Sequence, residues 1–317
     1  MSDLHVVSVS IGSKARNTSQ QIELLGKTVR IERRGTDGDL KAAGQLIRDL
    51  DGKVDAIGLG GLDLFLVAAG KRFYLRDGLA LARNASVTPV VCGAALKDTL
   101  ERMVVEALDE TVKWQGKRVL MVAGVDRFGM AETLASYGAQ VTYGDLIFAL
   151  GLPIPLRTLR QLHTVARILL PVITKVPISW IYPTGEKQTE STSGTHRARY
   201  FEEAEVIAGD FHFIRRYAPR DLSGKTVLTN TTTSEDVEDL RRRGVAQLIT
   251  TTPRFNGRSL ATNLLDAALV AIKGRGGLSA HEYHDLIVEA GLGPDIMQFG
   301  TQQAGAAPSP PQQTGQG

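Results

Sequence analysis

Three stretches of this 317-residue chain place polar side chains where chemistry could be done. The first is Gly93-Ala-Ala-Leu-Lys97-Asp98-Thr99, which joins a short apolar run to a long helical pattern. A lysine beside a carboxylate at such a junction can manage a proton while hydride leaves a carbinol carbon, so Lys97 and Asp98 are the candidate catalytic pair. Asp98-x-x-Glu101 also has the form of a capping box, which is the structural alternative for Asp98.

The second stretch is Val119-Leu-Met-Val-Ala-Gly124-Val-Asp126-Arg127-Phe128-Gly129-Met-Ala, followed by Gly138-Ala-Gln-Val-Thr-Tyr-Gly-Asp145. A buried strand runs into a glycine-containing turn and a helix, and a second strand then ends at an acidic residue. Such a unit aims backbone N–H groups at a pyrophosphate. Asp145 comes 21 residues after Gly124 (145 − 124), near where an acceptor for a ribose 2′-OH belongs. Gly124, Asp126, Arg127, Phe128, Gly129 and Asp145 are therefore candidate cofactor contacts. A carboxylate there favours NAD over NADP, because it repels a 2′-phosphate. The spacing is G-x-x-x-x-G rather than G-x-G-x-x-G, and a βαβ unit without a ligand is the alternative.

The third is a pair of strand ends, Thr229-Asn230-Thr231-Thr232-Thr233 and Thr250-Thr251-Thr252-Pro253. Ligands of open parallel sheets bind beyond the carboxyl ends of the strands, which adds Thr229, Asn230, Thr231, Thr251 and Thr252 to the cofactor candidates. Thr233 or Ser234 is expected to cap the following helix. Nearer the start, Ser8 and Ser10 and the Gly60, Gly61 and Asp63 of Gly58-Leu-Gly60-Gly61-Leu-Asp63 are candidate substrate contacts; a strand's polar face and a turn are the alternatives. Arg254-Phe-Asn-Gly-Arg258 could hold an anion at a helix start. His281 and His284 lack an H-E-x-x-H context, and no metal site is expected.

These residues need a scaffold. His5–Ile11, Val54–Leu59 and Pro89–Cys92 read as strands. Ile22–Leu25 with Thr28–Glu32, and Leu62–Val67 with Arg72–Arg76, read as hairpins. Leu40, Ala43, Ile47 and Leu50 repeat at helical spacing, and Thr99–Trp114 is the clearest helix of the first half. Arg118–Ala123, Gln140–Tyr143, Glu205–Gly209, Thr226–Thr229 and Gln247–Thr251 are short apolar or β-branched runs separated by helical segments, the pattern of a parallel sheet. Ser259–Ile272 and His281–Gly291 are expected to close that sheet. The fold class is α/β: an N-terminal α/β substrate domain with its linking helix over residues 1–115, a Rossmann-like parallel-sheet domain over 116–295, and a disordered tail over 296–317 rich in Gln, Ala, Pro and Gly.

Composition limits the partners. The chain is 43% hydrophobic and 22% charged, as a globular protein is, and its net charge of +3 is too small to argue for nucleic acid. The lone Cys92 suits a reducing compartment, and no secretory leader is apparent, so a cytoplasmic protein is expected. The most apolar window, Leu162–Ile181, carries Arg167, Lys175, Pro171 and Pro177 and reads as a buried helix followed by a loop rather than a membrane span. The expected partner is a small-molecule substrate, with room for a homodimer.

The whole plan resembles the quinate/shikimate 5-dehydrogenase group, and in particular a bacterial family that carries the quinate 5-dehydrogenase name. The matching stretches are His5-Val-Val-Ser-Val-Ser-Ile-Gly12, Val54-Asp-Ala-Ile-Gly-Leu-Gly-Gly-Leu-Asp63, Leu96-Lys-Asp-Thr-Leu-Glu-Arg102 and Tyr182-Pro-Thr-Gly-Glu-Lys-Gln188. The resemblance implies NAD(P)-dependent hydride transfer at the hydroxyl-bearing carbon of a cyclic hydroxy acid. It also implies a lysine–aspartate pair whose aspartate starts the linking helix, where Asp98 stands. The rival expectation is a nucleotide- or metabolite-binding sensor that shares the fold without the chemistry.

Overall fold

Valine-rich Leu4–Ser10 (β1) and small, apolar Ala56–Gly60 (β4) are suited to strands covered on both faces. They form the centre of one of the two main sheets in the computed structural model, which describes residues 3–177, 195–255 and 258–299. With Thr18–Leu24 (β2), Lys27–Gly35 (β3) and Val90–Val91 (β7), the first sheet runs in the order β2-β3-β1-β4-β7. All its neighbours are parallel except β2, which folds back on β3 through the expected hairpin. The helix Leu40–Leu50 (α1) buries Ala43, Ile47 and Leu50 in one cluster with Val7, Val9 and Ile57, and Asp39 caps its start.

The opposite face is covered by Thr262–Lys273 (α9), which packs on β1 and β4. This corrects the expectation that the closing helix would finish the second sheet. A helix buried at every residue from Asn263 to Ala271 must lie between two layers, and here the second layer is the linking helix, Ala94–Val112 (α3). Gly58 permits the approach, since a Cβ there would stand 2.6 Å from the Asn263 carbonyl oxygen.

Phe65–Ala68 (β5) and Lys71–Tyr74 (β6) make the second expected hairpin, followed by Arg76–Ala82 (α2). Helix α3 starts at Ala94, not at Thr99, so Asp98 stands inside it and Asp98-x-x-Glu101 is not a capping box. The pattern invited that reading because Gly93, in the left-handed region at φ +84°, starts the helix with no side-chain cap.

The second sheet comprises Arg118–Met121 (β8), Gln140–Tyr143 (β9), Val206–Ala208 (β10), Thr226–Thr229 (β11), Gln247–Thr250 (β12) and, after the short pair Arg254–Phe255 (β13) and Arg258–Ser259 (β14), Asp295–Gln298 (β15). Its order is β15-β12-β11-β10-β8-β9, parallel apart from β15. Strand β15 and buried Phe299 occupy what was expected to be the beginning of a disordered tail. Its helices are Phe128–Ser136 (α4), Leu159–Ile173 (α5), Thr195–Glu203 (α6), Phe211–Tyr217 (α7) and Ser234–Arg242 (α8), the last with a Thr233 capping box as expected. Ala280–Glu289 (α10) packs on α3. The chain thus passes between the sheets at α3, again after β14, and once more after α10.

Helix α5 buries Leu162, Ala166 and Leu170 but leaves Ile168 and Val172 more than 60% exposed, so it is amphipathic rather than fully buried. Among the described residues no helix is long and apolar enough to cross a membrane. Tyr182–Gln188 and residues 300–317 lie outside the described residues, as do the side chains of Arg254–Arg258.

Candidate functional site

The β5–β6 hairpin leaves the carboxyl end of β4 and leans on α3 and on the 3₁₀ turn Val125–Arg127 that follows β8. Charged side chains from these elements meet beneath it. Lys97 projects from the first turn of α3, with Nζ 3.0 Å from Asp126 Oδ1 and 3.5 Å from Asp63 Oδ2. One turn further along the same helix face, Glu101 accepts a short hydrogen bond from Arg127 Nη1. Arg127 Nη2 donates to Asp210 Oδ2 at 3.0 Å, and Asn230 Nδ2 donates to the same oxygen at 3.0 Å. The other Asp210 oxygen accepts the His212 N–H and caps α7. The cluster therefore joins the first sheet, the linking helix and the carboxyl ends of β8, β10 and β11.

Burial and charge act against each other here. Burial alone would lower the Lys97 pKa, but Asp126 and Asp63 outweigh it and hold the ammonium above its ordinary value. Burial pushes Asp63 up to about 6, against the pull of Lys97, and pushes Glu101 up to about 7, against the pull of Arg127. Burial works on Asp210 in the same direction, yet Arg127 and His212 prevail and hold it at about 2. Glu101 and Arg127 are 1% and 3% exposed, and each keeps one atom, Glu101 Oε2 and Arg127 Nε, without a hydrogen-bond partner. Both residues line a void of about 10 Å³, room for about one water, whose wall also includes Lys97, Asp126, Leu66 and Phe128.

Of the residues named from sequence, Lys97, Asp63, Asp126, Arg127 and Asn230 come together in this cluster. Asp98 is one residue aside: its carboxylate pairs with Arg102, 3.3 Å away, and Arg102 also binds Glu132 at 2.5 Å. Glu101, read only as a capping-box partner, and Asp210 are not among the site residues expected from sequence. Their signals were present, since Glu101 follows Lys97 by one helical turn and Asp210 follows a parallel strand directly.

The turn expected to cradle a dinucleotide is engaged internally. Asp145 Oδ2 accepts the Gly124 N–H at 3.1 Å and Asp145 Oδ1 accepts the Val125 N–H at 2.8 Å, so the ribose candidate and the phosphate-binding amides are bound to each other. Burial raises Asp145 to about 6, with those two N–H groups opposing. The start of α4 is covered by α3, because a Cβ on Gly129 would stand 2.5 Å from the Asp98 carbonyl oxygen. Gly124 packs beneath Tyr143 and Leu162, and Phe128 is a core residue. These residues in this arrangement do not fit a dinucleotide.

The remaining candidates are also held within the protein. Thr229 Oγ1 donates to the Gly209 carbonyl at 2.8 Å, and Thr251 and Thr252 are buried; Thr231 is half-buried at the same strand end. Ser8 Oγ accepts from Asn263 Nδ2 at 2.6 Å, and Ser10 Oγ accepts from Arg33 Nη2 at 2.9 Å. Gly60 packs against those two serines, and Gly61 turns the chain at φ +71°. The threonine contacts lie within the second sheet, and the serine and glycine contacts within the first sheet and its covering helix, rather than in the cluster.

Among solved structures, the chain is similar to an ABC transporter solute-binding protein from Burkholderia multivorans, at 13% identity and a TM-score of 0.39 over 94% of this chain and 100% of that one. It is similar to the malic enzyme of Entamoeba histolytica at 11% identity and a TM-score of 0.37, over 90% of this chain and 70% of that one. For the NAD-dependent malic enzyme of Thermotoga maritima the values are 13%, 0.33, 89% and 72%. At these scores the likenesses carry no argument about ligand or activity. No curated protein matches the chain. A family model described as Domain of unknown function (DUF8753) matches residues 5–92, and a second, Domain of unknown function (DUF8754), matches residues 95–299. The division between them falls at the start of α3. Since the second model covers more than half of its residues, the chain belongs to the DUF8754 family.

Proposed function

We propose that this protein binds a small polar metabolite in the cleft between the β5–β6 hairpin, α3 and the Val125–Arg127 turn. The observation that carries this reading is the Lys97 ammonium, 3.0 Å from Asp126 and 3.5 Å from Asp63, beside two buried charged residues with orphaned atoms. Buried polar groups are normally satisfied, and an unsatisfied pair lining one void is what a ligand or an ordered water completes. The void as closed here admits one small polar group, so entry of a whole metabolite requires the hairpin to lift.

The test is retention of small molecules from a protein-free metabolite extract, read by mass spectrometry, with Lys97→Met as the control. At least one compound is expected to stay with the native protein and to be lost from the variant. Retention of nothing, or of the same compounds by both, would overturn the reading.

A second reading, NAD(P)-dependent hydride transfer on a cyclic hydroxy acid such as quinate or shikimate, is favoured by the Lys97–Asp126 pair. The Lys97 ammonium can hydrogen-bond a carbonyl oxygen, and Asp63 or Glu101, raised to about 6 and about 7, can exchange a proton near neutral pH. That reading requires α3 and α4 to part and Asp145 to release the Gly124 and Val125 N–H groups. Calorimetric titration with NAD⁺ and NADP⁺ separates the two: binding of neither leaves metabolite binding alone.

A further inference from the structure

The orphaned atoms in the cleft constrain the chemistry of the ligand as well as its place. We infer that the ligand is an uncharged compound with adjacent hydroxyl groups, and that Glu101 and Arg127 select for it. The inference rests on the cleft reading above and adds to it the ligand's chemical class.

Arg127 Nε is an N–H donor without an acceptor, and Glu101 Oε2 is a carboxyl oxygen without a donor. A carboxylate on the ligand satisfies the arginine but has no hydrogen to donate to Glu101 Oε2. An ammonium can donate to Glu101 but has nothing to offer Arg127. A hydroxyl both donates and accepts, so it suits either atom without adding charge. The same alternation recurs where Lys97 and Asp126 join the wall, the Lys97 donor standing between the Asp126 acceptor and that of Asp63 behind it. Two neighbouring hydroxyls match two neighbouring donor–acceptor combinations.

The charge balance of the site points the same way. The carboxyl groups of Asp63, Asp98, Glu101, Asp126 and Asp210 outnumber the cations Lys97, Arg102 and Arg127. Each basic group of the cluster already holds carboxylates, so an anion entering the cleft must compete with them. Ser8 and Ser10, which would otherwise receive a carboxylate from the first sheet, are bonded to Asn263 and Arg33. Leu66, Val67 and Phe128 complete the wall and offer the ring or carbon chain of a polyol an apolar surface.

A ring-matched series tests this on the native protein, with binding followed by ligand-observed NMR. The members are cis-cyclohexane-1,2-diol, cyclohexanol, cyclohexanecarboxylate and cyclohexylammonium, with myo-inositol as the fully hydroxylated member. The diol and myo-inositol are expected to bind best, with cyclohexanol weaker by roughly tenfold for the lost hydroxyl. That binding is expected to be abolished in Lys97→Met. Tighter binding of the carboxylate or the ammonium, still lost in Lys97→Met, would overturn the hydroxyl preference and leave the cleft reading standing. Binding that survives Lys97→Met would place the ligand elsewhere and overturn both. Binding of no member of the series would overturn the hydroxyl preference, with metabolite retention judging the cleft reading on its own.

Discussion

Lys97 and Asp126 meet at 3.0 Å across the junction between α3 and the turn that leaves β8, and Asp63 brings the first sheet to the same ammonium. A single side chain thus ties together the parts of the molecule that bound the cleft. Lys97→Met leaves two mostly buried carboxylates without their cation, which is expected to cost roughly 3 kcal/mol of stability at neutral pH. The loss should shrink below about pH 5, where Asp63, already raised to about 6 with the lysine present, is protonated. Urea denaturation of both proteins at pH 7.5 and pH 4.5 checks this; an equal loss at both values would contradict the role of the charge pair.

Gly129 is predicted to matter for packing. In Gly129→Ala the new Cβ would meet the Asp98 carbonyl oxygen at 2.5 Å and Oδ1 at 2.7 Å, forcing α3 and α4 apart at a cost of about 1–3 kcal/mol. Gly293→Ala, where a Cβ meets nothing within 4 Å, should be close to neutral and serves as the control. Equal thermal stability of the two variants would show that the helices are not in contact there.

Asp145 is predicted to hold the β8 turn. Asp145→Ala frees the Gly124 and Val125 N–H groups and leaves two partly or fully buried donors unsatisfied, which should lower stability by about 2 kcal/mol. It should leave NAD⁺ titrations unchanged. Tight NAD⁺ binding by the native protein that is weakened in the variant would restore the ribose-acceptor role.

Asp266 gives a pH signature away from the cleft. It accepts the Gly93 N–H at 2.9 Å and the Tyr283 hydroxyl at 2.6 Å, and burial raises it from 3.8 to about 6. Between those values the folded protein keeps a proton that the unfolded chain has released. The stabilisation is therefore full below about 3.8 and is lost as pH rises through about 6. Asp63 and Asp145 act in the same window and in the same sense. Stability measured from pH 4 to pH 7 should fall with rising pH, and less steeply in Asp266→Asn. A stability that climbs across this range would contradict the assignment.

Much of the scaffold was legible because it follows local rules. Alternating valines, hairpin glycines and the spacing of Leu40, Ala43, Ile47 and Leu50 depend on neighbours in sequence. Lys97, Asp63, Asp126, Arg127 and Asn230 could be named because they end strands or begin helices at the open edge of parallel sheets. Glu101 was lost to a capping pattern that vanishes once α3 begins at Ala94. The inward turn of Asp145 and the covering of α4 by α3 depend on tertiary contacts that no spacing encodes. The return of α9 to the first sheet had one sequence signal. An almost unbroken apolar run from Leu264 to Ala271 has too little polar surface for a helix with one wet face.

The most direct test of the cleft is hydrogen exchange, read by mass spectrometry, with and without the compound retained from the metabolite extract. Binding at Lys97 predicts joint protection of residues 62–68, 94–101 and 125–130, which belong to different elements and come together around the cleft. Protection confined to other segments, with these three unchanged, would contradict the account.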